Sequence, residues 1–353
     1  MRLKGLHLKG FREHARNYYS KRNKKDYEDK QRGNAKDGWL SKELKALILG
    51  NLLIAVVVIM YFFDLVTLLN EDSSEVAVTP QELQQGNGER TMIPRIIHQT
   101  YKTAEIPEKW KDCQKHCIDL HKGYRYILWT DEKAREFIAQ EYPWFVEQWD
   151  NYRYPIQRAD ALRYFVLHLY GGIYIDLDDG CRRPLDALLK LPAFVRKTDP
   201  TGVSNDVMGT VPGHPFFSKV IKSLKRYDRN WLLPYVTIMY STGPLFLSAM
   251  LKQYRRTSTA LEHPVRILTR SQYADFENSF FETVSGNSWH QGDAQFFKTM
   301  ARYIFLAVIA GFLLGLTILY LEYIFLRSVR RFYNKFTAAD PYRYTPLDAD
   351  GRV

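Results

Sequence analysis

Three carboxylates within four positions, Asp176, Asp178 and Asp179, close the apolar run Ile173-Tyr174-Ile175, with Gly171-Gly172 before it and Gly180 after. Acids crowded this closely repel one another and attract a cation. On an extended strand, side chains alternate between faces, so Asp176 and Asp178 share one side and Leu177 takes the other. Two such oxygens can converge on one divalent metal or on a ribose. A bare Asp-x-Asp is commonly only a solvated strand end, so its neighbours must decide.

The segment before it, Gln157 to Tyr170, has helical spacing and stops at Gly171-Gly172, a C-terminal cap. Asp160 and Arg163, three apart, lie on one face of that helix, as a surface ion pair or as a pair turned into a cleft. Downstream, Ser204-Asn205-Asp206 sits in a polar stretch from Gly202 to Gly209 that reads as a loop, and Ser241-Thr242-Gly243-Pro244 opens another helix. Hydroxyls at a helix start cap it or meet an anion. A late loop, Gly286 to Asp293, carries His290.

These groups need a scaffold, and the chain spells an alternating one. A strand over Ile93–Thr100 precedes an amphipathic helix near Trp110–Leu120. A second strand, Tyr124 to Asp131, precedes helical spacing over Glu132–Gln140. The alternation predicts an α/β fold with a largely parallel sheet, whose ligands gather at the C-terminal strand ends. Gln99 and Asp131 stand at two such ends.

The chain has 353 residues and a formal charge of +11. That excess is uneven: residues 1–69 hold 14 Lys/Arg against 7 Asp/Glu, residues 70–302 hold 30 against 28, and residues 303–353 hold 6 against 4. The charge therefore gathers in the N-terminal arm, which precedes an apolar run and has few aromatics arranged for base stacking, and this argues against a nucleic-acid partner. Cys113, Cys117 and Cys181 are too few, and odd in number, for a disulfide framework. Cys113, His116, Cys117 and His121 have helical spacing, but zinc sites draw ligands from separated elements, so buried thiols on an amphipathic helix are the expectation.

Two apolar runs frame the middle of the chain. Residues 46–69 and 303–326 are each long enough to cross a hydrocarbon core of about 30 Å. Basic residues precede the first run and follow the second, as Arg327, Arg330, Arg331 and Lys335, while Glu71, Asp72 and Glu75 follow the first. The excess of basic residues on the cytoplasmic side then places both termini in the cytosol. The division is a basic cytosolic arm (1–45), a transmembrane helix (46–69), a linker (70–91), a lumenal catalytic domain (92–302), a second transmembrane helix (303–326) and a cytosolic tail (327–353). The short linker and close second span hold the domain near the bilayer, which favours an acceptor embedded in it.

In order, the motifs are Ile-Pro-Arg-Ile-Ile-His-Gln ending at Gln99, Trp129-Thr-Asp131, Arg-Ala-Asp160-x-x-Arg163-Tyr, Tyr-Gly-Gly-x-Tyr-x-Asp176-x-Asp178, and Ser-Trp-His290. The set resembles the DXD-type glycosyltransferases that include fungal Golgi mannosyltransferases, over roughly residues 92–295. Asp-Leu-Asp-Asp-Gly-Cys, Ser-Asn-Asp, Ser-Thr-Gly-Pro and the flanking spans are most similar to the catalytic subunits of mannosyl-inositolphosphoceramide synthases. The resemblance implies a GT-A-like fold, a Golgi location, GDP-mannose as donor, inositol phosphoceramide as acceptor and a calcium-responsive membrane partner subunit in a hetero-oligomer. It further implies Mn²⁺ or Mg²⁺ on Asp178, with Asp176 on the ribose or a metal-bound water and His290 reaching the metal or diphosphate. Asp160 and Arg163 would hold the donor sugar, and Gln99 and Asp131 would frame the base. Retention of configuration is implied too, with Asp206 and Asp179 as candidates for a nucleophile. A transferase for protein-linked glycans and a non-catalytic membrane subunit are the competing readings.

Overall fold

The computed structural model describes residues 45, 47–60, 63, 76–84, 91–198, 201–231, 233–273, 277–283 and 304–338. The chain divides into two units, one of residues 1–61 with 303–353 and one of residues 62–302.

In the larger unit six strands form one sheet in the order β2-β1-β3-β6-β5-β7. They are β1 (Ile96–Thr100), β2 (Arg125–Trp129), β3 (Gly172–Ile175), β5 (Ala193–Lys197), β6 (Val203–Thr210) and β7 (Arg266–Leu268). β4 (Asp179–Cys181) and β8 (Phe281–Thr283) pair separately and antiparallel. β1 runs parallel to both β2 and β3, and β5 parallel to β7, but β6 is antiparallel to β3 and β5. The α/β expectation holds, and the sheet is mixed rather than largely parallel.

The difference comes from Gly202 to Gly209, expected as a loop and found as most of β6. Its polar residues mask the strand, because Ser204 and Asn205 are buried and Asn205 is hydrogen-bonded inside the protein. Alternation along the strands feeds two cores. Ile173 and Ile175 of β3 join Phe194 and Val207 on one side, and Tyr174 joins Val195 and Met208 on the other.

Among the described residues six longer helices pack around the sheet: α1 (Glu108–Leu120), α2 (Asp131–Glu141), α3 (Pro155–Tyr170), α4 (Pro215–Tyr227), α5 (Pro234–Ser241) and α6 (Pro244–Arg255). Four of these, α3 to α6, begin with a proline, whose missing N–H costs nothing in a first turn. α3 is apolar around most of its surface and buries Leu162, Phe165, Val166 and Leu167. It ends at Gly171, φ 64°, and Gly172, φ 90°, which swing the chain into β3. A Cβ on Gly172 would stand 2.6 Å from the Ile96 carbonyl oxygen in β1. Gly172→Ala therefore combines left-handed strain with a backbone clash and is expected to cost about 3 kcal/mol or more, read as a lowered unfolding midpoint.

Cys117 of α1 and Cys181 of β4 form a disulfide across a sequence separation of 64, and Cys113 is a buried free thiol. This corrects the expectation of unbridged thiols. Counting cysteines tests for a scaffold of many bridges, whereas one bridge needs only two residues brought together by the fold. A closed loop of this length constrains the unfolded chain, so Cys117→Ser is expected to lower stability by about 4 kcal/mol in thermal unfolding.

Among the described residues of the smaller unit, one helix is long and apolar enough to cross a membrane: Ile309–Tyr333, 25 residues with a mean hydropathy of 2.0, inside the Ile304–Ala338 helix. It continues past the expected end at 326. Leu47–Met60 is a shorter apolar helix, and the remainder of the expected first span lies outside the described residues apart from Phe63. Asn51 Nδ2 donates to Glu322 Oε2 at 3.0 Å and to the Leu47 carbonyl at 3.1 Å, so the polar residues interrupting the two apolar helices satisfy each other.

Candidate active site

The C-terminal end of β3 is built from both of its neighbours. β1 contributes His98, which is fully buried. Trp129 Nε1–H donates to His98 Nδ1 at 3.1 Å, which fixes Nε2–H as the donor to the Gly171 carbonyl at 2.9 Å. The ring is neutral, its pKa pushed down to about 4 chiefly by burial. It pins the glycine turn that launches β3.

That neutrality has a pH signature. The folded pKa lies below the unfolded value near 6.5, so the unfolded chain takes up the proton first, and stability is lost as pH falls from about 6.5 toward 4. His98→Gln removes this response. The stability gap between variant and native protein is therefore expected to narrow by about 2 kcal/mol between pH 7 and pH 4.5 in paired unfolding curves, other groups cancelling.

β3 ends at Ile175, and the acidic motif is a turn rather than a continuing strand: the Asp179 N–H donates to the Asp176 carbonyl at 3.0 Å. Asp176 is held from three directions. Its N–H donates to the Asp206 carbonyl at 2.9 Å, Tyr174 Oη donates to Oδ1 at 2.7 Å, and Arg163 Nη1 lies 3.3 Å from Oδ2. Arg163 also places Nη2 3.0 Å from Asp160 Oδ1, donates from Nη1 to the Asn205 carbonyl at 2.7 Å, and stacks 4.7 Å over the Tyr174 ring.

Asp160 gathers the two motifs that sequence reading left as loop and cap. Asn205 Nδ2 donates to its Oδ1 at 3.0 Å and Thr242 Oγ1 to its Oδ2 at 3.1 Å. Burial outweighs these partners and pushes its pKa up to about 6. Their side chains are only 7% and 4% exposed, and as they stand Asp160 and Arg163 brace the acidic end.

Asp178 differs from its neighbours. No ion pair reaches it among the described residues, and burial, then the charge of Asp176, raises its pKa to about 6. Asp179 is 2% exposed, and burial and the charge of Asp206 push its carboxyl well above the ordinary range. It is enclosed by the fold. Asp206 is the more accessible of the two, and it pairs with Arg196, whose Nη1 is also 3.6 Å from Asp179. Sequence reading missed Arg196. The available signal was an arginine within the otherwise apolar start of β5, Ala193-Phe-Val-Arg196.

No three His, Cys, Asp or Glu side chains form a metal cage among the described residues, and His290 lies outside them. The donor chemistry nonetheless suits a hard divalent cation. Four carboxylates face two guanidiniums, and the unpaired Asp178 is the oxygen donor such an ion would take. A cavity of about 330 Å³ lies near the ends of β1 and β2, lined by Thr100, Asp131, Arg135, Trp149, Asp150, Arg158 and Leu162 among others. Asp131 is among its lining residues, whereas Gln99 is fully buried and accepts from Tyr126 Oη at 2.8 Å, and its neighbour Thr100 lines the cavity.

A braced carboxylate end and an acid with no ion pair among the described residues thus stand at the end of β3, and a cavity lies at the ends of β1 and β2. Residues 107–195 match the glycosyltransferase sugar-binding region containing the DXD motif. The chain is 56% identical to mannosyl phosphorylinositol ceramide synthase CSH1 of Saccharomyces cerevisiae, over 81% of this chain and 78% of that protein. It belongs to the fungal mannosyl phosphorylinositol ceramide synthase family. SUR1 of the same yeast is 54% identical, over 81% of this chain and 75% of its own length. Inositol phosphoceramide mannosyltransferase 3 of Schizosaccharomyces pombe is 51% identical, over 65% of this chain and 64% of its own. The chain is accordingly a glycosyltransferase of the mannosyltransferase type. Its mixed α/β sheet fits the GT-A-like expectation.

Proposed function

We propose that the chain moves mannose from GDP-mannose to inositol phosphoceramide, with a divalent metal and with retention of configuration. The acceptor reading is carried by the 56% identity to CSH1, whose name states that product. Asp178 would hold Mn²⁺ or Mg²⁺, which as a Lewis acid offsets charge developing on the departing diphosphate. Asp176, fixed by Arg163 and Tyr174, presents a carboxylate edge to the ribose or to a metal-bound water. Thr100, Asp131 and Arg158 receive the nucleoside in the cavity. Arg163 and Asp160 set this geometry from behind, and Asp206 is the remaining carboxylate for the sugar's reacting face.

The Cys117–Cys181 bridge supports an oxidising compartment and so a lumenal catalytic unit, because cytosolic thiols are kept reduced. With two spans, both termini would be cytosolic and the enzyme a multi-pass Golgi protein. A hetero-oligomer with a calcium-responsive regulatory membrane subunit completes the reading.

The test is direct. Membranes holding the chain are incubated with inositol phosphoceramide and a panel of sugar nucleotides, with Mn²⁺ or EDTA, and lipids are identified by mass and anomeric configuration. An α-mannosylated product from GDP-mannose alone, abolished by EDTA, is expected. Full turnover in EDTA, or product only on a protein-linked glycan, would overturn it.

A further inference from the structure

The cavity at the ends of β1 and β2 has an apolar part, Ala134, Trp149 and Leu162, and a charged part, Asp131, Arg135, Asp150 and Arg158. Its volume of about 330 Å³ stands at the small end of ligand pockets, with room for a planar base and its ribose. It meets the acidic end through α3. Ala159 and Leu162, three apart, line the cavity, while Asp160 and Arg163, each one residue further on, brace Asp176. One residue turns a helix by about 100°, so cavity and carboxylates lie on adjacent faces of the same turn. A diphosphate held beside Asp178 leaves its nucleoside within reach of this cavity.

The charges on the wall are not equivalent. Arg135 and Asp150 are spent on each other, Nε donating to Oδ1 at 2.9 Å and Nη2 to Oδ2 at 2.7 Å. Arg158 is tied to the backbone, its Nη1 donating to the Tyr152 carbonyl at 3.0 Å. Asp131 makes no ion pair among the described residues, and burial, opposed by the charges of Arg158 and Lys102, raises its pKa. A carboxylate left open on such a wall can accept two hydrogen bonds side by side. Of the common bases, guanine alone offers two adjacent N–H donors, N1–H and the 2-amino group, next to an acceptor, O6. Adenine would turn the N1 lone pair toward the carboxylate, and uracil a carbonyl oxygen; each is repelled.

We propose that Asp131 is the base-reading residue of the donor site: its two carboxylate oxygens accept from N1–H and the 2-amino group of guanine, with the Arg158 guanidinium beside it as a donor to O6. This rests on the reading of the chain as a transferase that uses GDP-mannose, and it names the side chain that selects guanine. Asp131 is also the first residue of α2, where an acid complements the helix dipole. That second role is indifferent to the base, which makes the two separable.

The experiment is calorimetric titration of the full chain in detergent micelles, in the presence of Mn²⁺, with the diphosphates of guanosine, inosine, xanthosine and uridine. Inosine lacks the 2-amino group, and xanthosine carries an oxygen in its place. The native protein is expected to bind GDP about tenfold more tightly than inosine diphosphate, for one hydrogen bond to a charged group, and to prefer both to UDP. In Asp131→Asn the amide donates where the carboxylate accepted. GDP should therefore weaken about thirtyfold, and xanthosine diphosphate should become the tightest of the four. A gain of binding of that kind cannot come from damage to the fold. A preference for GDP over inosine diphosphate that survives in Asp131→Asn would overturn the assignment and leave the donor reading standing. Native protein that binds UDP more tightly than GDP, or binds no nucleotide, would sink the donor reading and the assignment with it.

Discussion

Asp178→Asn is expected to transfer mannose at least about a thousandfold more slowly than the native enzyme, a loss of roughly 4 kcal/mol in transition-state stabilisation, while unfolding at the same temperature or higher. The two halves of this result have one cause. Asp178 has no ion-pair partner among the described residues, and burial together with the charge of Asp176 lifts its pKa to about 6. In the free protein its charge is therefore a liability, and removing it relieves repulsion. The proposed cation, arriving with the donor, would account for a group kept at such a cost. Steady-state rates across a Mn²⁺ titration, paired with thermal scans, check the prediction. A large fall in midpoint would assign the loss to damage of the fold, and native rates would remove Asp178 from the site.

What could be read from sequence was local. The glycine pair, the apolar strand and the acids follow one another within eleven positions, Tyr170 to Gly180, and each constrains the next. The α3 helix was legible for the same reason, and so was the pairing of Asp160 with Arg163 at helical spacing. What escaped were contacts made across the fold. Asn205 and Thr242 reach Asp160 from 45 and 82 positions away, and their residue types are just as common in loops and caps. β6 was hidden because buried polar side chains break the apolar pattern by which strands are recognised. The disulfide joins residues 64 apart, a separation on which composition says nothing. Gln99 and Thr100 show the finest limit: adjacent strand residues face opposite sides, and only the register of β1 decides which one lines the cavity.

Arg163→Met is expected to be the most damaging single change to the fold of the site, costing about 3–5 kcal/mol and lowering the unfolding midpoint by about 10 °C. The guanidinium is the common partner of Asp160, Asp176 and the Asn205 carbonyl, all within 3.3 Å, and its side chain is 4% exposed. Its removal leaves two desolvated carboxylates facing each other without a cation. The cost is therefore that of the abandoned acids more than of the lost pair, which yields a sharper test than the single variant. Arg163→Met combined with Asp160→Asn should recover about half the loss, because the amide no longer carries a buried charge. Arg163→Lys should recover little, since one ammonium cannot span three acceptors as a planar fork does. If the double variant is as unstable as Arg163→Met alone, the arginine acts through packing on Tyr174 rather than through charge. In either case donor affinity should fall with stability, for Asp176 keeps its direction only while Arg163 holds it.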